Sequence, residues 1–251
     1  MIEGLYSAAT GMLAIEGRQA IIANNIANAS TPGFRAQNAI QKGFYLMLLD
    51  QMASPAIGNR QPGPGGGLKI VESYTDTRGG PIITTGNTLD VAIAGPGFIG
   101  VTTPAGDRFT RNGHFVLDAE GELSTADGYK IQSEGGGPIA VSGLVEILRD
   151  GTVTDDGLPV GRIRLTEFED PHMLTREGDT LYVASDEAVA RSAAAGETTV
   201  EPGALEMSNV QLPYEMTQMM LALRMYTANQ KVINSVDESV GRLINEVGAP
   251  A

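Results

Sequence analysis

The chain has 251 residues, a formal net charge of −13 and no cysteine. Its length allows one or two domains, and the lack of cysteine excludes disulfides and thiol catalysis. An acidic chain is a poor match for nucleic acid or an anionic membrane surface, since both are bound through basic patches. No apolar run is long enough to span a membrane. We therefore predict no nucleic-acid partner and no membrane insertion.

The first predicted element is an N-terminal α-helix with a narrow apolar stripe. Two successive heptad positions carry the stripe, which is the pattern of a coiled-coil seam. The two sets are Leu5, Met12, Gln19 and Ile26, and Ala8, Ile15, Ile22 and Ala29. Because a seam rich in alanine buries too little area to hold an isolated helix, we expect this helix to need a partner.

The segment from residue 24 to 35 is predicted to end that helix near Thr31. The Ser30 and Thr31 hydroxyls compete with the backbone for hydrogen bonds, and Pro32 disfavours helix at the residue before it. Gly33 permits a left-handed turn. We interpret the segment as a helix end followed by a proline turn, whose geometry sets where the chain leaves the helix.

The middle of the chain consists of short β-branched runs separated by turn dipeptides, which tolerate positive φ. The turn candidates are Asn112-Gly113, Asp127-Gly128, Asp150-Gly151 and Asp156-Gly157. The predicted strands are residues 89–94, 98–102, 108–111, 115–117, 145–148, 162–168 and 180–183. No helical period separates the runs, which disfavours a βαβ parallel sheet. The predicted fold class is a mainly β central domain flanked by terminal α-helices.

A second amphipathic helix is predicted from about residue 213 to 246. Its apolar residues recur at steps of three and four: Met216, Met219, Leu223, Tyr226, Ile233, Val236, Val240, Leu243 and Val247. We predict that it pairs with the first helix as a coiled-coil-like assembly domain. The interruption at Gln230 resembles a stammer, which would overwind a coiled coil locally. Gln19 and Gln230 either fix the register or are solvated seam positions.

These elements divide the chain into three predicted regions: a helical assembly domain of residues 1–34 and 213–251, an extended linker of residues 35–67 and a β-rich outer domain of residues 68–212. From residue 70 to 200 we count roughly 21 acids against 9 bases, about −12, whereas the first forty residues balance. The acidic face is interpreted as a solubilising surface. The nearly neutral ends can associate without strong repulsion.

Three patterns resemble chemical motifs without completing one. Residues 95–100 match the dinucleotide-binding glycine pattern, but a β-branched run and Pro104 follow instead of a helix. The carboxylates of residues 118–122 do not complete a calcium loop. His114 and His172 are the only histidines, and no zinc-ligand spacing joins them. We predict no catalytic residue, no cofactor and no metal, and a chain that is not an enzyme.

A set of short motifs covers nearly the whole chain. Its members are residues 8–12 (AATGM), 24–28 (NNIAN), 31–35 (TPGFR), 85–93 (TGNTLDVAI), 109–115 (FTRNGHF), 205–210 (LEMSNV) and 231–233 (KVI). The set resembles the flagellar basal-body rod and hook proteins. The opening of the chain resembles the distal-rod type, whereas residues 28–37, 137–141 and 231–237 resemble the proximal-rod type, which we favour modestly.

The resemblance implies a structural subunit of the bacterial flagellar rod, a motility structure, with its helices in a tubular layer around an export channel. The implied partners are copies of itself, other rod and hook proteins and the type III flagellar export apparatus. It further implies a periplasmic place in the rod, reached without a cleaved signal peptide. The predicted assembly residues are Leu5, Met12, Ile15, Ile22, Ile26, Met219, Leu223, Tyr226, Ile233 and Val240. The alternative is a surface or secreted β-domain adhesin or hydrolase with helical tails.

Overall fold

The computed structural model describes residues 2–43, 68–185, 188–192 and 198–247. Over these residues the protein is mainly β, with helix α1 (Ile2–Ala27) at one end and helix α2 (Leu212–Val247) at the other. This confirms the predicted mainly β fold with a helix at each end. A single 3₁₀ turn, Pro171–Met173, is the other helical element in the described part.

The strands are short, as the turn-rich sequence predicts. In chain order they are β1 (Gln37–Gly43), β2 (Leu68–Thr75), β3 (Ile82–Thr84), β4 (Val91–Ala94), β5 (Phe98–Thr103), β6 (Gly106–Thr110), β7 (Phe115–Leu117), β8 (Leu123–Thr125), β9 (Lys130–Ile131), β10 (Val145–Ile147), β11 (Thr152–Asp155), β12 (Leu158–Arg162), β13 (Leu165–Phe168), β14 (Leu174–Glu177), β15 (Leu181–Ala184), β16 (Ala190–Ser192), β17 (Thr199–Pro202) and β18 (Ala204–Glu206). The predicted strand 162–168 is wrong as one element, because it spans the end of β12 and the whole of β13.

The chain forms two compact units. The helical unit comprises residues 1–27, 37–74 and 211–251, and the β unit comprises residues 28–36 and 75–210. In the helical unit, β1 pairs with β2. Of the predicted linker, residues 37–43 form β1, whereas residues 44–67 lie outside the described part of the chain.

The β unit is built around one main sheet, ordered β14-β15-β6-β5-β9-β8-β7, with β13 pairing to β5 and β16. Smaller sheets join β10-β11-β12, β17-β4 and β18-β3. Every described pairing in the β unit is antiparallel. This agrees with the prediction that the fold contains no βαβ parallel sheet.

Strand β5 buries side chains on both of its faces. Ile99 and Val101 lie in one apolar cluster, with Leu123 and Ile131 from β8 and β9. Phe98 points into a second cluster that holds four further residues: Phe109, Phe168, Leu174 and Tyr182. Aromatic rings in this second cluster meet edge to face at centroid distances between 4.9 and 5.8 Å, an arrangement that their quadrupoles favour.

Three of the four predicted turns are confirmed, and one is wrong. Gly128, Gly151 and Gly157 have φ of 84, 82 and 82° in turns between neighbouring strands. Asn112-Gly113 is not such a turn, because the strands on either side of it, β6 and β7, are not paired with each other. Gly113 is instead the site of a close backbone approach. A Cβ there would lie 1.7 Å from the Val91 carbonyl oxygen. Of the glycine-rich residues 95–100, residues 95–97 connect β4 to β5 and residues 98–100 begin β5, as the strand-to-strand interpretation predicts.

Candidate assembly surface

Helices α1 and α2 pack against each other within the helical unit and run antiparallel. Near the end of α1, Asn25 Nδ2 donates to Glu215 Oε1 at 3.1 Å. Two turns earlier, Arg18 donates to Gln218 Oε1 at 2.7 Å. Earlier still, a Cβ on Gly11 would lie 3.2 Å from Nδ2 of Asn229. As residue numbers fall along α1 they rise along α2, so the two chain ends pair in opposite directions.

The packed face of α1 follows one of the two predicted heptad sets. Ala8, Ile15 and Ile22 are buried at steps of seven, together with Ala14 and Asn25. Of the other set, Met12, Gln19 and Ile26 are half-buried and Leu5 is exposed. The stripe is therefore offset towards the alanine-containing set, which lets the helices approach closely.

The less exposed face of α2 is an unbroken heptad pattern. Its members are Glu215, Met219, Ala222, Tyr226, Asn229, Ile233 and Val236, at alternating steps of four and three. Gln230 lies outside this pattern and is exposed. The stammer expected there is wrong, because Ala222 and Asn229, too small or too polar to stand out as apolar seam residues, occupy the seam positions.

The rest of α2 keeps large apolar side chains in contact with solvent. These are Leu212, Tyr214, Met216, Met220, Leu221, Leu223, Met225, Val232 and Val240. We call this set the exposed face of α2. In α1, Leu5, Tyr6 and Leu13 are exposed as well. A helix that is apolar around most of its circumference is typical of one that is buried, and large exposed apolar patches mark interaction sites.

The ten predicted assembly residues therefore divide into three groups. Ile15 and Ile22 are buried in the helical unit. The half-buried group is Met12, Ile26, Met219, Tyr226 and Ile233. Leu5, Leu223 and Val240 are exposed. Sequence reasoning missed Met220, Leu221, Met225 and Val232, although residues 219–223 are five consecutive apolar residues, more than one stripe requires.

A buried polar network also joins the elements of the helical unit. Asn25 Nδ2 donates to the Gln37 carbonyl oxygen at 2.9 Å, and Asn25 Oδ1 accepts from the Gln37 N–H at 2.9 Å. The same amide group donates to Glu215, so one asparagine connects α1, β1 and α2. Burial raises the pKa of the Glu215 carboxyl, and the Asn25 hydrogen bond and the Arg18 charge oppose that shift.

The central sequence motif is a structural turn in the β unit. Asp90 is buried and accepts hydrogen bonds from Thr85 Oγ1 at 2.6 Å and Asn87 Nδ2 at 3.1 Å. His114 Nδ1 lies 2.8 Å from the same carboxylate. The motif residues thus satisfy one another instead of facing a ligand.

Two further properties of the described residues bear on the kind of site they form. Among them, histidine and carboxylate side chains do not gather in a group of three or more that could hold a metal ion. Neither helix, over its described length, is long and apolar enough to cross a membrane.

Three sequence profiles match the chain, in chain order. Residues 5–35 match the profile described as "Flagella basal body rod protein". Residues 92–158 match "Flagellar hook protein FlgE/F/G D1 domain", and residues 201–246 match "Flagellar basal body rod FlgEFG protein C-terminal". The two terminal matches cover most of α1 and α2.

Whole-length relatives agree with these profiles. The chain is 33% identical over 266 residues to the flagellar basal-body rod protein FlgG of Bacillus subtilis (strain 168), covering 98% of this chain and 99% of the relative. It is 31% identical over 254 residues to the flagellar basal-body rod protein FlgF of Caulobacter vibrioides, covering 99% of both chains. FlgG of the same organism is 32% identical over 257 residues, 94% of this chain and 96% of the relative.

In chain order, a β unit is preceded and followed by helices that expose apolar residues, a surface suited to contacts with other proteins. The chain belongs to the flagellar basal-body rod protein family. It is accordingly a structural protein of the flagellar basal body, and the prediction that it is not an enzyme is confirmed by its relatives. Relatives named FlgG and FlgF match at 33% and 31%, so the preference for the proximal-rod type stays a prediction.

Proposed function

We propose that the protein polymerises through its terminal helices into a helical tube that lines an export channel and transmits torque. The observation that carries this proposal is the exposed face of α2. Met216, Met220 and Leu223 follow one another at steps of four and three, so they form a line along one side of the helix. Burying each of these side chains fully is worth about 1.5–3 kcal/mol.

The geometry of a tube requires contacts between unlike patches. A heterologous interface generates a helical filament when its rotation does not close into a ring, whereas like patches form closed dimers. The helical unit offers two different apolar patches, the exposed face of α2 and the shorter one of α1 that includes Tyr6 and Leu13. Contact between the α2 patch of one copy and the α1 patch of the next would propagate in this way.

Charge supports placing the helices at the centre of the assembly. Helix α1 carries Glu3, Glu16 and Arg18, a net charge of −1. Helix α2 carries four acids against three bases, also −1 (Glu215, Asp237, Glu238 and Glu246; Arg224, Lys231 and Arg242). The charge of about −12 between residues 70 and 200 belongs almost wholly to the β unit. Repeating that charge around a narrow axis would be repulsive, which favours an outer position for the β unit.

The partners follow from the same proposal. Copies of this chain and other rod and hook proteins would cover the exposed apolar residues, and the type III flagellar export apparatus would deliver the subunit to a periplasmic rod without a cleaved signal. Each contact between subunits would be a packing contact, in keeping with a mechanical role in which no covalent bond is made or broken.

The test is a charged substitution on the exposed face of α2. Leu223→Asp places a charge on a side chain that is 50% exposed, so the monomer should fold normally but polymerisation should be lost. Leu158→Asp is the matched control, since Leu158 in β12 is 70% exposed and lies in the other unit. Polymer formation is measured by sedimentation and electron microscopy, and monomer folding by circular dichroism.

Normal polymerisation of the Leu223→Asp variant would contradict the proposal, as would an equal loss with Leu158→Asp. A charge at Ile22 or Ile233, the substitution that the sequence alone suggests, is a less specific test. Ile22 is buried in the helical unit, and its replacement would disturb the helix pair itself.

A further inference from the structure

Two polar residues, Glu206 and Asn209, lie where the chain leaves β18 on its way to α2. Both belong to the β unit, as do all the residues that they contact below. The chain passes between the units at residues 27/28, 36/37, 74/75 and 210/211. The chain therefore enters or leaves the β unit through three stretches. These are residues 28–36, the residues that begin at 75, and the residues that end at 210.

Asn209 binds the other two stretches at once. Its Oδ1 accepts from the Ala36 N–H at 2.7 Å, and its own N–H donates to the Phe34 carbonyl oxygen at 3.4 Å. Its Nδ2 donates to the carbonyl oxygens of Arg78 at 2.8 Å and Asp76 at 3.4 Å. The Asp76 N–H in turn donates to the Ala36 carbonyl oxygen at 2.8 Å. One asparagine thus links all three connecting stretches.

Glu206 forms the second set of links, through a buried charge cluster. Its carboxylate accepts from Arg35 Nη2 at 3.3 Å and Arg111 Nη1 at 3.1 Å, and also from the Gly80 N–H at 3.1 Å. Its backbone carbonyl accepts from the Gly33 N–H at 2.8 Å. Arg35, Arg111 and Glu206 are each no more than 4% exposed. Losing the carboxylate would leave two buried cations without their partner, which is strongly unfavourable.

Residues 28–36 also pack closely against neighbouring parts of the β unit. Gly33 has φ of 71°, and a Cβ there would lie 2.3 Å from the Asn112 nitrogen. Phe34 is 1% exposed, with the Arg176 guanidinium 4.1 Å above its ring. Arg176 also donates to the Arg35 carbonyl oxygen at 3.3 Å. The stretch is therefore held by directed contacts on several sides.

Directed hydrogen bonds differ from apolar packing in what they resist. Apolar contact is non-directional and tolerates sliding, whereas a hydrogen bond weakens steeply when its angle changes. We propose that Asn209 and Glu206 form a joint that fixes the three connecting stretches as one group. Rotation of one stretch would then break its bonds to the other two. The joint is a property of the β unit alone, and its value for torque transmission rests on the proposed function.

The test is amide hydrogen exchange of the unassembled full-length protein, resolved by residue. In Asn209→Ala, the amides of Ala36 and Asp76 should exchange about five- to thirtyfold faster, as expected when one or two hydrogen bonds of a local structure are lost. The amides of Leu123 and Thr125, which bond within the sheet and its turns, should be unchanged. Asn87→Ala is the matched control, because Asn87 is another asparagine of the β unit that caps a turn.

A second variant separates the two kinds of bond that Asn209 makes. Asn209→Asp keeps an acceptor for the Ala36 N–H but removes the donor to the carbonyl oxygens of Asp76 and Arg78. Losing the bonds to these carbonyl oxygens should loosen the stretch that contains Asp76, so the Asp76 N–H, which bonds to the Ala36 carbonyl oxygen, should exchange faster. Exchange at Ala36 should not change, because its acceptor is kept. This variant also keeps the proposal testable if Asn209→Ala does not fold.

Unchanged exchange at Ala36 and Asp76 in both variants would overturn the joint. Equal acceleration across the whole β unit would overturn it too, because Asn209 would then contribute only to global stability. The measurement is made on the monomer, so either failure leaves the polymerisation proposal intact. Conversely, a polymerising Leu223→Asp variant would leave the joint intact.

Discussion

The two units of this protein differ in how far their large apolar side chains are buried. In the β unit, Ile99, Val101, Leu123 and Ile131 have no measurable exposure and lie in one apolar cluster. In the helical unit, α2 turns one heptad stripe towards α1 and leaves many of its large apolar side chains in solvent. The β unit completes its own core, whereas the helical unit leaves a large apolar surface exposed.

The buried polar groups show the same contrast. In the β unit the buried Glu206 carboxylate meets two arginines and the Gly80 N–H. In the helical unit the buried Glu215 carboxylate meets the neutral amide of Asn25, and burial raises its pKa. A buried carboxylate that lacks a close ion pair is costly. The buried carboxylate of the helical unit is therefore less well compensated than that of the β unit.

The largest difference between the units should appear when one leucine is shortened in each. Leu123→Ala removes a fully buried side chain and should lower the free energy of unfolding of the β unit by about 2–5 kcal/mol. Leu223→Ala removes an exposed one and should change the monomer's free energy of unfolding by less than about 0.5 kcal/mol. Urea denaturation, followed by residue-resolved NMR, measures both. Comparable losses would mean that α2 is covered within its own chain.

A pair of glycines tests how tightly the β unit holds residues 28–36. Gly33 and Gly128 have similar φ, 71 and 84°, but a Cβ at Gly33 would strike backbone atoms whereas the space at Gly128 is open. Gly128→Ala should cost only the left-handed strain, about 1–2 kcal/mol. Gly33→Ala adds overpacking of about 1–3 kcal/mol. Thermal unfolding of the two variants measures the difference, and equal costs would show that the stretch around Gly33 can move aside.

The smallest expected effect is a pH dependence confined to the helical unit. Because the pKa of Glu215 is raised in the folded state, the folded protein binds more protons than the unfolded one between the unfolded and folded pKa values. The contribution of Glu215 to the free energy of unfolding is therefore present below its unfolded pKa and is lost as the pH rises through its folded pKa. Glu215→Gln keeps an acceptor for Asn25 and should remove this dependence.

The measurement is the difference in pH profile between the wild type and the Glu215→Gln variant, with helix unfolding monitored by circular dichroism. A matched control is Asp150→Asn in the β unit, because the Thr152 backbone and side chain lower the pKa of Asp150. Asp150→Asn should be less stable than the wild type above the unfolded pKa of Asp150, because the stabilisation by the Asp150 carboxylate is lost only as the pH falls. This pH dependence is opposite in direction to that of Glu215. Identical pH profiles for wild type and Glu215→Gln would show that the Glu215 carboxyl does not make the stability of the helical unit depend on pH.

Local chemistry by itself determined much of this molecule. The predicted helix at residues 213–246 is α2 within one residue at each end, and the predicted strand 115–117 is β7. Heptad and turn patterns act between residues a few positions apart, so a single sequence contains them. The family motifs are equally local, which is why the resemblance to rod and hook proteins is evident from short segments.

Tertiary structure alone decided which of those patterns meet. Asn112-Gly113 is a good turn dipeptide, yet Gly113 is required because Val91 approaches it from another strand. Glu206 and Arg111 are 95 positions apart, and no local pattern pairs them. The exposure of Leu223 was also undecided, because a periodic pattern predicts which residues share a helix face but not what covers that face. Those outcomes depend on contacts between distant segments, and packing in three dimensions determines them.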